Sequence, residues 1–254
     1  MKLLPTVGII CMAAMITACQ SSEKSEKANG QIQLITLDPG HFHAALVQKN
    51  RLEGVDSVVH VYAPDGPDLQ LHLDKINGYN TRPENPTHWK EEVYKGADFL
   101  DKMIAERATS GKKGNVVVMA GNNRLKTDYI KKTIEAGFNV LADKPMVIEA
   151  SKFEELKNAF ASAEKNKVLL YDIMTERYEI TTMLQRAFSQ QAEVFGTLEK
   201  GTPENPAVTK ESVHHFYKNV SGSILTRPAW FMDVTQQGEG IVDVTTHLVD
   251  LVQW

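Results

Sequence analysis

Three residues have the types and spacing that chemistry needs. Lys144 stands between Asp143 and Pro145, just past the apolar run NVLA. A lysine at the carboxyl end of a buried parallel strand projects its ammonium into the crevice where such sheets bind ligands. Asp243 and His247 are four apart in a segment of helical spacing, so they face one way and a single ligand could meet both. Histidine titrates nearest neutral pH, and an ammonium favours negative charge developing on oxygen. Each has a plainer alternative, a solvated surface lysine or a structural acid–histidine pair. Other chemistries lack residues. Cys11 and Cys19 both lie in the N-terminal segment, so neither a disulfide nor a cysteine nucleophile is available to the folded part. His214 and His215 are adjacent and would point to opposite faces of a strand, so no shared metal is expected.

Positioning those residues takes alternating strands and helices, which the sequence supplies. Residues 31–37 are β-rich, meet Asp38, Pro39 and Gly40, and give way to a helical pattern through residues 44–47. Further strands are predicted at 58–62, 115–120, 139–142 and 168–173. Helices are predicted at 97–108, 128–136 and 149–165, the last with Phe153, Leu156 and Phe160 inward. Gly137 is placed to cap the helix before it. Because VVVMA and NVLA are apolar on both faces, the strands are expected in a parallel sheet covered on both sides. Residues 65–92 are polar and too long for an ordinary connection, and suggest an insertion or lid. Residues 202–220 are expected to form a loop and strand beside the site.

The N-terminus has a separate meaning. Met1 and Lys2 precede an apolar run, and Ile16, Thr17 and Ala18 precede Cys19. That is the pattern of a lipobox, in which the thiol is acylated and the mature chain is anchored by buried methylenes. An uncleaved transmembrane anchor is disfavoured because the run is short and interrupted by Pro5. Residues 1–19 are thus expected to be a signal peptide with lipobox, 20–30 a tether, and the chain to be exported and lipid-anchored to a bacterial membrane, facing the periplasm or cell surface. The composition, 42% hydrophobic and 24% charged, is that of a globular protein. The net charge of −4 is spread along the chain without basic stretches, which argues against a nucleic-acid partner.

The segment EAGFNVLADKPMVI, residues 135–148, resembles the signature of the glucose-fructose oxidoreductase and inositol dehydrogenase (Gfo/Idh/MocA) family, in which a helix ends in Ala-Gly and a strand delivers Glu-Lys-Pro. GEGIVDVTTHLVDLVQW, residues 238–254, is similar to the family's glycine-rich turn and the helix with Asp and His four apart. The resemblance implies an α/β protein: an N-terminal Rossmann domain with a doubly wound parallel sheet at 31–175, then, at 176–254, the beginning of an α/β domain with an open, mostly antiparallel sheet. It implies nicotinamide-dependent oxidation of a carbinol of a sugar or polyol, with the cofactor carrying the hydride. His247 would be the acid/base, Lys144 would hydrogen-bond the reacting oxygen, and Asp243 would bind a neighbouring hydroxyl or orient the histidine. Gly40, His41, Phe42, Asp65, Asn122, Asn123, Asp143 and Lys144 fall at cofactor positions, Arg177 and Tyr178 at the sugar site. The family's Lys-Pro peptide is often cis.

The chain departs from the family in several places. Of the fingerprint G-x-G-x-x-G only the middle glycine remains, Gly40. His41 and His43 would either contact phosphate or pack under the helix. The acid at the end of the second strand is displaced to Asp65, and no arginine stands beside this turn for a 2′-phosphate, so NAD is expected and NADP stays open. Lys126 replaces a family histidine. Most strands of the family's second domain follow the Asp/His helix, whereas this chain stops at Trp254, so it is expected to be a shortened form that is aggregation-prone or inactive alone. The signal has no twin arginine, which implies export before folding and favours a tightly held, recycled cofactor. Two alternatives follow: a glycosidase or lyase that regenerates its nicotinamide within each cycle, and a redox-inactive carbohydrate-binding domain. A homo-oligomer stays open.

Overall fold

The computed structural model describes residues 32–109, 115–174, 176–211, 213, 215 and 217–254. Strand β1 (Gln33–Leu37) turns into a single helical turn, α1 (His43–Leu46), followed by β2 (Val58–Ala63), α2 (Pro67–Thr81), β3 (Lys90–Lys95) and α3 (Phe99–Thr109). Then come β4 (Asn115–Met119), α4 (Lys126–Glu135), β5 (Asn139–Asp143), α5 (Phe153–Asn166) and β6 (Leu170–Ile173). The six strands form one parallel sheet in the order β3-β2-β1-β4-β5-β6. Strand order reverses between β1 and β4, and the crevice at their carboxyl ends is where doubly wound sheets bind ligands.

Side-chain alternation explains the layering. Ile35, Leu37, Val117, Met119 and Val140 pack on one face against Met103, Ile130, Ile134 and Leu156 of the helices. Leu34, Val59 and Val118 point to the other face, against Ile76 and Tyr79 of α2 and against Trp89. Each fully buried aliphatic side chain contributes about 1.5–3 kcal/mol, so burial on both faces keeps β1 and β4 central. The helix before β5 stops as its sequence predicts: Gly137 takes φ 84°, and Gly137 N and Phe138 N donate to the carbonyls of Ile134 and Thr133.

Three expectations are corrected. Residues 65–92 are not a lid, because they build α2 and lead into the edge strand β3. The helix after Gly40 is one turn long. On α5 the inward face is Leu156, Ala159 and Ala163, while Phe153 and Phe160 are 52% and 45% exposed.

After β6 come α6 (Ile180–Ser189), α7 (Ala192–Phe195) and an antiparallel hairpin of β7 (Asn219–Val220) and β8 (Ser223–Ile224). A 3-10 turn (Ala229–Met232), α8 (Val234–Gln237), a π-helical turn (Ile241–Thr245) and α9 (Thr246–Gln253) complete the chain. Of the described part of 202–220, only Asn219 and Val220 are strand. His214 lies outside the described residues, and His215 is exposed.

Candidate active site

Strand β5 ends at Asp143 and delivers Lys144 to the crevice, through a Lys144–Pro145 peptide that is cis. Lys144 Nζ donates to Asp243 Oδ1 at 2.8 Å and to the Asp243 carbonyl at 2.7 Å. Gln237 Nε2 donates to the same Oδ1 at 2.9 Å. The two charged side chains are only 9% and 12% exposed, and buried charges persist where they are paired in this way. Asp243 sits in the π-helical turn rather than in a regular helix with His247, so the expected four-residue register is widened there.

His247, on α9, lines a cavity of about 340 Å³ together with Lys144, Asp243, His41 and Phe42. Its Nδ1 is buried and makes no hydrogen bond. Glu176 Oε1 stands 3.7 Å away, an ion-pair distance but too long for a hydrogen bond, so the nitrogen is unsatisfied. Burial, and then the Lys144 ammonium, hold its pKa down to about 4. At neutral pH the ring is therefore uncharged and carries a lone pair. A larger cavity of about 720 Å³ lies between α2 and the β7–β8 hairpin, but none of these groups reaches it.

The turn after β1 shows how the chain manages without two of the fingerprint's glycines. Asp38, in the first glycine's place, adopts a left-handed φ of 46°, which aspartate tolerates better than most residues. Gly121 lets the turn cross β4: a Cβ there would overlap the Asp38 carbonyl oxygen. Gly40 N and His41 N both donate to the Ala120 carbonyl, at 3.0 and 2.9 Å. His43, in the third glycine's place, is buried. His41 and His43 each share a hydrogen bond with one oxygen of Asp143, at 2.9 and 3.0 Å. Burial disfavours the Asp143 carboxylate, but the two imidazoles outweigh it and hold its pKa well below the usual range. Burial, then the neighbouring Asp68, pushes Asp38 up to about 6.

Lys126 had no clear role in sequence, and its position gives it one. It is 2% exposed, and burial pulls its pKa to about 8. Its Nζ donates to Asn123 Oδ1 and to the carbonyls of Asp143, at 3.2 Å, and Pro145, at 3.4 Å. It therefore holds the backbone just before and just after the Lys144–Pro145 pair.

The remaining expected residues are distributed unevenly. Asn123 is buried, with Nδ2 donating to the Gln237 carbonyl and side chain. Asn122 Nδ2 donates to Gln236 Oε1 at 2.7 Å, so this loop is stapled to α8. Asp65, past β2, is exposed and pairs with Lys95 at 3.0 Å. Arg177 is engaged by Asp250 of α9 through a two-pronged ion pair, and Tyr178 is 66% exposed. Neither of these two lines the cavity. Cys19 lies outside the described residues. Sequence reasoning did not single out Asp68, Trp230 or Gln237, whose types carry no signal without the contacts.

A dinucleotide's phosphates would approach at Gly40. A Cβ there would meet Asp68 Oδ2 and Trp230 Cζ2 at 3.0 Å, and Trp230 Nε1 donates to Asp68 Oδ2 at 2.6 Å. The covering atoms are side-chain ends on rotatable bonds and not backbone, so a dinucleotide at this turn would require that pair to swing aside. The ligand atoms of His41, His43 and Asp143 lie within 4.8 Å of one another, a span a metal ion could bridge. Both carboxylate oxygens are taken by ring nitrogens, and the charges of Lys126 and Lys144 act at the same spot, so the set forms a hydrogen-bonded clamp.

Comparison with known proteins bears on this arrangement. A family described as "Oxidoreductase family, NAD-binding Rossmann fold" (GFO_IDH_MocA) matches residues 40–172. A second, "Putative oxidoreductase C terminal domain", matches residues 184–254. A crystal structure of a "putative oxidoreductase" from Parabacteroides merdae is 61% identical with a TM-score of 0.82, covering 89% of this chain and 50% of that one. An NAD-binding protein from Listeria innocua is 14% identical with a TM-score of 0.56, over 87% of this chain and 54% of its own. The WlbA (WbpB) dehydrogenase of Thermus thermophilus, solved with NAD and UDP-GlcNAcA, is 15% identical with a TM-score of 0.55, over 88% and 62%. The chain thus spans about half the length of these structures, and the two distant ones share its fold. No curated protein matches it.

Proposed function

This chain belongs to the Gfo/Idh/MocA oxidoreductase family with its NAD-binding Rossmann fold, and from that premise we propose that it oxidises a hydroxyl-bearing carbon of a sugar or polyol in the cavity lined by Lys144, Asp243 and His247. The supporting observation is the buried Lys144–Asp243 pair beside a neutral, unsatisfied His247. NAD, held by the turn at Gly40, His41 and Phe42 and by the neighbouring Asn122–Asn123 loop, would take the hydride. Asp65 would meet the adenosine ribose.

The chain's own groups supply the rest. An ammonium has three protons, and Lys144 spends two on Asp243, which leaves one for the substrate oxygen as negative charge develops there. His247, uncharged at neutral pH and lining the same cavity, accepts the hydroxyl proton. Asp243 aims Lys144 through its side-chain and backbone oxygens. Arg177 and Tyr178 act at the periphery, Arg177 by holding α9 through Asp250.

The domain division at residue 175 and the export of the chain belong to the same proposal. The lipobox ending in Cys19 supports anchoring by acylation. Among the described residues no helix is long and apolar enough to cross a membrane. Labelled palmitate should enter the wild type and not Cys19→Ser; equal labelling would remove the anchor.

Function is tested by adding NAD and a panel of free sugars and aryl glycosides and following nicotinamide fluorescence. NADH formation with a free sugar supports the proposal. Aglycone release without NADH accumulation selects internal recycling, and absence of any nucleotide binding leaves a carbohydrate-binding domain.

A further inference from the structure

The lining of the cavity carries charge that the proposed reaction does not use. Arg227 and Lys218 both line it, and among the described residues neither has a carboxylate partner. Arg227 Nε is buried without an acceptor. Its guanidinium is held 4.0 Å over the ring of Phe231, which is 9% exposed and stacks in turn with His41 at 6.4 Å. The cation is therefore fixed against a buried aromatic surface instead of moving freely in water.

Neighbouring acids offset this charge only in part, and none pairs with it directly among the described residues. Asp243 is taken by Lys144 and Gln237, and Asp143 by the two histidines. Glu176 faces His247, and its side chain is 41% exposed. Burial lowers the pKa of both cations, and for Lys218 the nearby Arg227 charge adds to it. Asp243 offsets the Arg227 charge, and Glu176 and Asp243 offset that of Lys218, but desolvation outweighs them, so two partly desolvated like charges share one cavity and an anion between them would be favoured.

We propose that Arg227 and Lys218 form a subsite for a fixed negative charge on the substrate, so that the sugar taken by this cavity is an acidic one bearing a carboxylate, sulfate or phosphate. The inference rests on the reading of this cavity as the substrate site. Lys144 and His247 would meet the reacting hydroxyl while Arg227 and Lys218 hold the anion, fixing which carbon is presented.

The test is calorimetric titration of the whole chain with glucose, glucuronate, glucose 6-sulfate and glucose 6-phosphate at low and moderate salt, for the wild type and for Arg227→Met, Lys218→Met and the double variant. At least one acidic sugar should bind about tenfold or more tightly than glucose, as expected of charge-assisted contacts. The preference should shrink with salt and vanish in the double variant while its thermal melt stays that of the wild type. Which acid leads identifies the group. Glucose binding as tightly as every acid, or a preference that survives the double substitution, would overturn the proposal. If a variant fails to fold, the wild-type ranking and its salt dependence still decide. Acidic-sugar binding without NAD reduction would count against the redox reading and leave the subsite. Equal turnover of neutral and acidic sugars would do the reverse.

Discussion

Lys144 and Asp243, 99 positions apart in the chain, are joined by a 2.8 Å ion pair that ties the carboxyl end of β5 to the π-helical turn before α9. The pair aims the ammonium and, through the same turn, sets where α9 begins and hence where His247 stands. Geometry at the cavity is therefore shared between the parallel sheet and the last helix.

Lys126→Met should loosen the peptides around Lys144. The change removes the donor to Asn123 Oδ1 and to two backbone carbonyls in a buried place. Unsatisfied buried acceptors cost about 1–3 kcal/mol each, offset in part by no longer burying the ammonium, so a net loss of about 2–4 kcal/mol is expected in urea unfolding. An unchanged unfolding midpoint would show that this lysine supports nothing.

Much of the architecture was legible because the central strands are apolar on both faces, and such runs have few other uses. Helix α2 was not, since its buried face is Leu69, His72, Ile76 and Tyr79, and a histidine and a tyrosine break the apolar stripe that marks a helix. On α5 two phenylalanines drew the inward face to themselves, whereas the face against α4 and the sheet uses Ala159 and Ala163, which permit close approach. The Lys144, Asp243 and His247 neighbourhood followed from family pattern together with position. The role of Lys126, and Trp230 altogether, stayed hidden because their contacts, to Asp143 and Pro145 and to Asp68, join segments distant in sequence.

Gly121→Ala should be strongly destabilising. The new methyl would collide with the backbone carbonyl of Asp38, which cannot rotate away as a side chain can. Overpacking of this kind costs about 1–3 kcal/mol, read as a fall in thermal midpoint. A wild-type melt would mean that the β1 turn runs elsewhere.

Arg177→Ala should free α9 without altering the sheet. The Arg177–Asp250 pair is mostly buried, at 24% and 14% exposure, and its removal leaves Asp250 alone. Amide exchange in α9 should accelerate, with about 1–3 kcal/mol lost locally, while amides of β1 and β4 keep their protection. Uniform acceleration across the chain would point to a global rather than a local role.

Glu91 gives a pH dependence of definite sign. Burial raises its pKa from 4.5 to about 7, against a hydrogen bond from Gln48. The folded chain thus holds a proton that the unfolded chain releases, so this stabilising contribution is complete below pH 4.5 and is lost as pH rises through about 7. The stability of the wild type relative to Glu91→Gln should fall by up to about 3 kcal/mol across that window. His72, 4.0 Å away, is kept neutral by burial in both proteins and cancels in the comparison. A difference that is flat with pH would contradict the burial of this carboxyl.

The most direct measurement is single-turnover reduction of NAD by the wild type, Lys144→Met and His247→Asn, each checked for NAD affinity, with whichever sugar the panel identifies. Both substitutions should slow hydride transfer by about a hundredfold or more, as loss of a group that stabilises developing charge or takes the proton does, while NAD binds as before. Wild-type rates in either variant would show that the cavity between Lys144 and His247 is not where the carbinol reacts.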